Sequence, residues 1–100
     1  MTLSLALVLL SAAAPPTCEP AAPGAALAVP TEQAAVAAAR IAWDGKFSAA
    51  AVEAHEPYRG QQIRGVWKVF GTLPNGWRGG TPEAVICASD GAVLKVFHTQ

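Results

Sequence analysis

Between residues 31 and 47 the apolar positions fall at threes and fours: Val36, Ala39, Trp43 and Phe47, with Arg40 and Asp44 off that stripe. Such spacing predicts an amphipathic helix with one face against a core. Pro30-Thr31-Glu32 supplies its start, because a Thr hydroxyl accepts from the free amides of a first turn and a Glu is favoured at the positive end of the helix dipole. The helix is expected to run to about Asp44, with Gly45 interrupting or bending it. Residues 49–52 (AAAV) fit either a short second helix or the lead into a strand, and Pro57 ends whichever forms.

Beyond Pro57 the period drops to two. Residues 63–70 (IRGVWKVF) read as one strand, with Ile63, Trp67 and Val69 on one side and Arg64 and Lys68 on the other. Residues 71–81 hold Pro74, Asn75-Gly76 and Gly79-Gly80, the chemistry of a loop. Residues 83–88 and 92–98 make two more strands, joined through Ser89-Asp90-Gly91, whose Asp-Gly pair favours a hairpin. The expected fold is α+β: an N-terminal amphipathic helix packed on a small antiparallel sheet of three to four strands.

Parity then divides the sheet. Trp67, Val69, Ile86, Leu94 and Val96 are expected towards the helix, and with Val36, Ala39 and Trp43 they form the predicted core. The opposite parity collects Val66, Phe70, Val85, Cys87, Val93 and Phe97 beside Arg64, Lys68 and Lys95. A solvent face is normally more polar, so this one calls for a cover: the N-terminal segment, a sheet twist, a protein partner or a second copy in a homodimer.

The first 30 residues follow neither period. Residues 3–10 (LSLALVLL) are apolar and are followed by Ser11, Ala12, Ala13 and Ala14, the order of a secretory signal core and its small-residue processing zone. A spanning helix needs about 20 apolar residues, and Pro15-Pro16 stop this run well short. Residues 15–30 contain five Pro and one Gly among many Ala, a spacer composition. The expected organisation is a signal peptide over 1–14, cleaved after Ala13 or Ala14, a Pro/Ala-rich spacer over 15–30, and a folded domain over 31–100. Export points to the periplasm; an inner-membrane anchor made by an uncleaved leader is the alternative, and membrane contact is then confined to that leader.

Composition changes the picture in two ways. Of the hydrophobic residues that make up 52% of the 100-residue chain, 11 lie in its first 14, so the surplus belongs to the leader. The charges split 7 to 7 with no Lys/Arg cluster, which removes the electrostatic footprint of a nucleic-acid binder.

With the helix, the Pro57-Tyr58 corner and the strands in place, residues 31–98 resemble the short bacterial immunity proteins of the nuclear-transport-factor-two-like (cystatin-like) fold. The resemblance is carried by Ala35, Ala39 and Trp43 on the helix, by Pro57-Tyr58, and by residues 66–74 (VWKVFGTLP), similar to a Trp-centred strand running into a Gly-Thr-Leu turn. Residues 79–86 (GGTPEAVI) are similar to a Gly-Gly-x-Pro element with its following strand, and Asp90-Gly91-Ala92-Val93-Leu94 with His98 to a closing hairpin. Phe47 and the Ala-rich run depart from the usual aromatic-Gly pair, and Cys87 is not part of the pattern. The resemblance implies a non-enzymatic protein, without cofactor, that binds and neutralises a cognate protein toxin, and a fold too short to keep the large pocket of bigger members.

Candidate chemistry adds little to that. His55 between Glu53 and Glu56, and His98 at a strand end, have no spacing that makes them converge as acid and base, and His55 reads as a solvated loop residue. His55, His98, Cys87 and Cys18 have no metal-ligand spacing, so no metal is expected. Gly79-Gly80 lacks the Lys-Ser/Thr of a phosphate loop. Candidates for partner contact are Trp77 with Arg78, an indole beside a guanidinium in the loop, together with Arg64, Lys68, Phe70 and Phe97. Cys18 and Cys87 would either bridge, folding the spacer over the mixed face, or remain free or intermolecular thiols. Export makes an envelope-acting toxin the expected target. The alternative is an exported structural or inhibitor-like envelope protein that self-associates through the Phe70/Val93/Phe97 face.

Overall fold

A computed structural model describes residues 17–76 and 79–99. The leader over 1–14 lies outside the described residues, as do Trp77 and Arg78.

Helix α1 spans Glu32–Trp43, and Thr31 Oγ1 caps it by accepting from the Ala34 amide at 3.1 Å. Its buried face is Ala35, Ala39 and Trp43, with Val36 half-buried beside them. Two alanines there serve two ends: alanine is the best helix former, and its single methyl lets the helix axis come close to the sheet. A second helix, α2, covers Ala49–Glu53, capped by Ser48 Oγ accepting from the Ala51 amide at 3.1 Å.

Four strands follow: β1 Arg59–Ile63, β2 Val66–Phe70, β3 Pro82–Cys87 and β4 Val93–His98. They pair in sequence order, all antiparallel, as a meander with α1 across one face. The stretch read as one strand over 63–70 is in fact the end of β1, a turn and the whole of β2. Arg64 (φ 49°) and Gly65 (φ 79°) both have positive φ, the requirement of a two-residue hairpin turn whose twist matches its strands. Ile63 therefore pairs with Val66 on the side away from Trp67, and it is 46% exposed.

The register gives the helix side two rows, Gly60–Val69–Ala84–Val96 and Gln62–Trp67–Ile86–Val93. The edge strand carries no apolar side chain at residue 60, where the space for one is tight. A Cβ on Gly60 would lie 3.3 Å from the Trp67 ring and 3.4 Å from Glu32 Cγ. The ladder shifts between Val85 and Ile86. That irregularity pairs Val93 with Ile86 and takes Leu94 out of strict alternation, so Leu94 is half-buried and Val96, not Leu94, packs on the core.

Ala39, Trp43, Trp67, Val69 and Ile86 are buried as expected, joined by Val29, Ala35, Tyr58, Ala84 and Ala88. Both core indoles need an acceptor, since a buried N–H without one is costly. Trp43 Nε1 donates to the Glu83 carbonyl (3.1 Å) and Trp67 Nε1 to that of Val29 (2.9 Å). The folded body thus begins before Thr31. Val29 and Ala28 donate to the carbonyls of Ala88 (3.0 Å) and Ser89 (3.1 Å), and the disulfide Cys18–Cys87 holds the start of this segment on the other face of the sheet. Residues 18–29 therefore wrap one end of the sheet from face to face.

His55 is buried, not solvated. Its carbonyl accepts from the Thr72 amide (2.8 Å), its Nδ1 lies 3.3 Å from the Thr72 carbonyl, and its ring stands 6.0 Å from that of His98. Gly71 makes this possible, because a Cβ there would come within 2.9 Å of His55 and 2.8 Å of Tyr58.

Candidate partner-binding face

Away from α1 the sheet presents three rows: Ile63–Val66–Cys87, Gln61–Lys68–Val85–Lys95 and Arg59–Phe70–Glu83–Phe97. The first is covered at Cys87 by the disulfide. Ser89 Oγ donates to the Glu19 carbonyl at 2.7 Å and fixes the segment beside it. The covering stops there, leaving Val66, Phe70, Val85 and Phe97 half-buried and Lys68 and Lys95 exposed.

Of the residues expected to meet a partner, Lys68, Phe70 and Phe97 are brought together. Lys68 sits one row from the Phe70–Glu83–Phe97 row, and Lys95 Nζ lies 4.6 Å from the Phe97 ring centroid, within cation–π range. Arg64 stands apart, in the turn at the end of the β1–β2 hairpin beside the covered Cys87 row.

Glu83 shares this face with Phe70 and Phe97, and nothing in the sequence marked it as buried. Its side chain is 8% exposed, and Lys68 Nζ approaches Oε1 at 3.6 Å, beyond hydrogen-bond reach. Among the described residues Oε1 has no hydrogen-bond donor. Beside it lies a cleft of about 400 Å³ lined in part by Gln61, Lys68, Phe70, Leu73, Thr81 and Glu83. Its floor is tightly bonded: the Gly71 amide donates to Thr81 Oγ1 (2.9 Å), the Thr81 amide to Thr99 Oγ1 (2.9 Å), and the Thr99 amide to the Thr81 carbonyl (3.1 Å).

A second, larger cleft of about 580 Å³ lies between the two helices, lined by Ile41, Phe47 and Val52 with Arg40, Asp44, Glu53 and Glu56 among its polar groups. Arg40 there is committed to Glu56 and to the Tyr58 ring, 5.3 Å from its centroid. Burial pushes the Tyr58 phenol above its ordinary value of 10.0; Arg40 opposes this and Glu56 adds to it. Among the described residues no group of three His, Cys, Asp or Glu is placed to hold a metal ion, and no helix is long and apolar enough to cross a membrane.

One long helix over a four-stranded antiparallel meander is a reduced NTF2-like fold, and a mixed apolar and basic sheet face on such a frame is the equipment of a binding protein. The family is defined as well. The chain belongs to the NTF2 fold immunity proteins, whose family profile matches residues 34–100. It is accordingly a non-enzymatic protein that neutralises a toxin. No curated protein and no solved structure matches the chain significantly.

Proposed function

We propose that the chain acts outside the cytoplasm, neutralising a toxin that attacks the cell envelope, and that the sheet face away from α1 is the surface the toxin meets. The observation that carries this reading is the Cys18–Cys87 bridge, which ties the segment just beyond the apolar leader to β3. Such bridges form and persist in oxidising compartments and are rare in the cytosol. The bridge also leaves the apolar part of the face free at its Phe70 and Phe97 end while covering it at Cys87.

The mechanism is occlusion. Phe70 and Phe97 supply apolar area at the centre, and Lys68 and Arg64 supply charge that orients the encounter. The test is protection from the toxin encoded beside this chain, directed either to the periplasm or to the cytoplasm. The full chain should protect cells from the periplasmic toxin, and a chain lacking residues 1–14 should not. Protection by the leaderless chain against the cytoplasmic toxin, with none by the full chain in the periplasm, would overturn the reading.

A further inference from the structure

We propose that the cleft over Glu83 is a receptor for a guanidinium group, and that Lys68 is the placeholder cation it displaces. The toxin as the source of that group rests on the function proposed above; the chemistry of the cleft does not.

The cleft carries an imbalance. A carboxylate more than nine-tenths buried ordinarily collects several donors, because an unmet acceptor in a dry site costs about 1–3 kcal/mol or more. Among the described residues Glu83 Oε1 collects none. Three donors of the cleft floor are committed elsewhere: the Gly71 amide to Thr81 Oγ1, the Thr81 amide to Thr99 Oγ1, and the Thr81 hydroxyl to the Pro82 carbonyl at 3.2 Å. Lys68 faces Oε1 without bonding it, and its side chain is half exposed on a flexible stem, so its ammonium trades little when it swings into water. No described residue supplies the missing donor.

The cleft selects its shape. Phe70 lines it together with Gln61 and Leu73, so an aromatic ring borders the carboxylate. A planar, weakly hydrated fork that bonds a carboxylate through two parallel N–H groups while stacking on an aromatic ring is an arginine side chain, and an ammonium does neither. The cleft volume of about 400 Å³ is within the range of preformed ligand sites, and the bonded floor keeps it open without reorganisation.

The test uses the full folded chain with its bridge intact and N-acetyl-arginine methylamide as probe, followed by amide NMR shifts. Shifts should converge on Phe70, Gly71, Thr81 and Glu83 and be absent with the neutral citrulline counterpart. Glu83→Gln should weaken binding by about tenfold, and Lys68→Met should strengthen it by removing the competitor. Thermal unfolding should find Glu83→Gln no less stable than the wild type, which a purely structural carboxylate would contradict. Equal shifts with citrulline, or binding of N-acetyl-glutamate methylamide that is lost in Lys68→Met and kept in Glu83→Gln, would overturn the proposal in favour of an acidic partner group. The same variants titrated with the neighbouring toxin separate the two readings. A toxin held equally by wild type and Glu83→Gln does not use the cleft, whereas a toxin that binds neither, while the probe still binds, sinks the proposed function alone.

Discussion

Replacing Cys18 with Ser removes the bridge at its half-exposed end and leaves the buried Cys87 in place, so almost no core volume changes. The bridge joins residues 69 apart in sequence. In the chain-entropy account, closing a loop of that length removes about 4 kcal/mol of freedom from the unfolded state. For a domain of this size each kcal/mol moves the melting temperature by about 4–8 °C, so Cys18→Ser should melt roughly 15–30 °C lower than the oxidised wild type. The folded state should lose less. Ala28 and Val29 keep their bonds to Ser89 and Ala88, and the Trp67 indole keeps its bond to the Val29 carbonyl, so fraying should stop before residue 28. Circular dichroism melts with and without reductant measure the first quantity, and amide exchange at Val29 the second. The reasoning is refuted if the variant and the reduced wild type melt within a few degrees of the oxidised protein. Loss of protection at Val29 with an unchanged melt would refute it differently, by showing that the bridge holds the N-terminal segment and not the unfolded chain.

Four further outcomes follow from single contacts. Trp43→Phe should cost about 2–3 kcal/mol in denaturant unfolding, since it opens space in the core and leaves the Glu83 carbonyl without its indole donor. Gly80→Ala should destabilise more severely than a surface change, because its Cβ would overlap the Thr99 backbone; an unchanged unfolding midpoint would contradict that packing. Arg64→Asn should raise stability by about 0.5–1 kcal/mol, as Asn tolerates the positive φ that Arg64 (φ 49°) adopts and Asn-Gly suits the turn. Tyr58 is the one tyrosine of the chain, so a tyrosinate absorbance titration reads it alone. Its folded-state value lies above 10.0, so the unfolded chain loses the proton first. Stability should hold up to about pH 10 and fall as the pH climbs towards the folded-state value; a phenol that ionises below 10.0 in the folded protein would contradict its burial.

The helix and the closing hairpin were legible because their signals are local. Thr31 caps three residues ahead, Ala39 and Trp43 are one turn apart, and Asp90 Oδ1 accepts from the Ala92 amide at 2.8 Å in the turn that Asp-Gly announces. The first strand was not legible, since its helix-facing positions are Gly60 and Gln62 and its turn is begun by an arginine. A turn residue with the wrong propensity, held by strands on both sides, leaves only Gly65 as a clue. For the candidate site, parity alone grouped Lys68, Phe70 and Phe97 correctly. The burial of Glu83 and of His55 depends on residues far along the chain, on the Gly71–Thr81–Thr99 bonding and on the close approach of Gly71, and no window of sequence contains both halves of such a contact.

The wrap of the N-terminal segment also fixes a leash. From the end of a 14-residue leader to Cys18 there are four residues, which at full extension reach about 14 Å. A chain still held by its leader would keep the Cys87 edge of its sheet within that distance of the lipid headgroups, too near to admit a folded toxin domain between them. Without the bridge, and with the Glu19 carbonyl released from Ser89 Oγ, the slack would run on to Ala28, whose amide bonds the Ser89 carbonyl, and allow roughly 50 Å. If the chain is exported as proposed, bridging and leader removal would therefore not be independent events: once the cysteines had paired, cutting the leader would be what sets the proposed binding face at large.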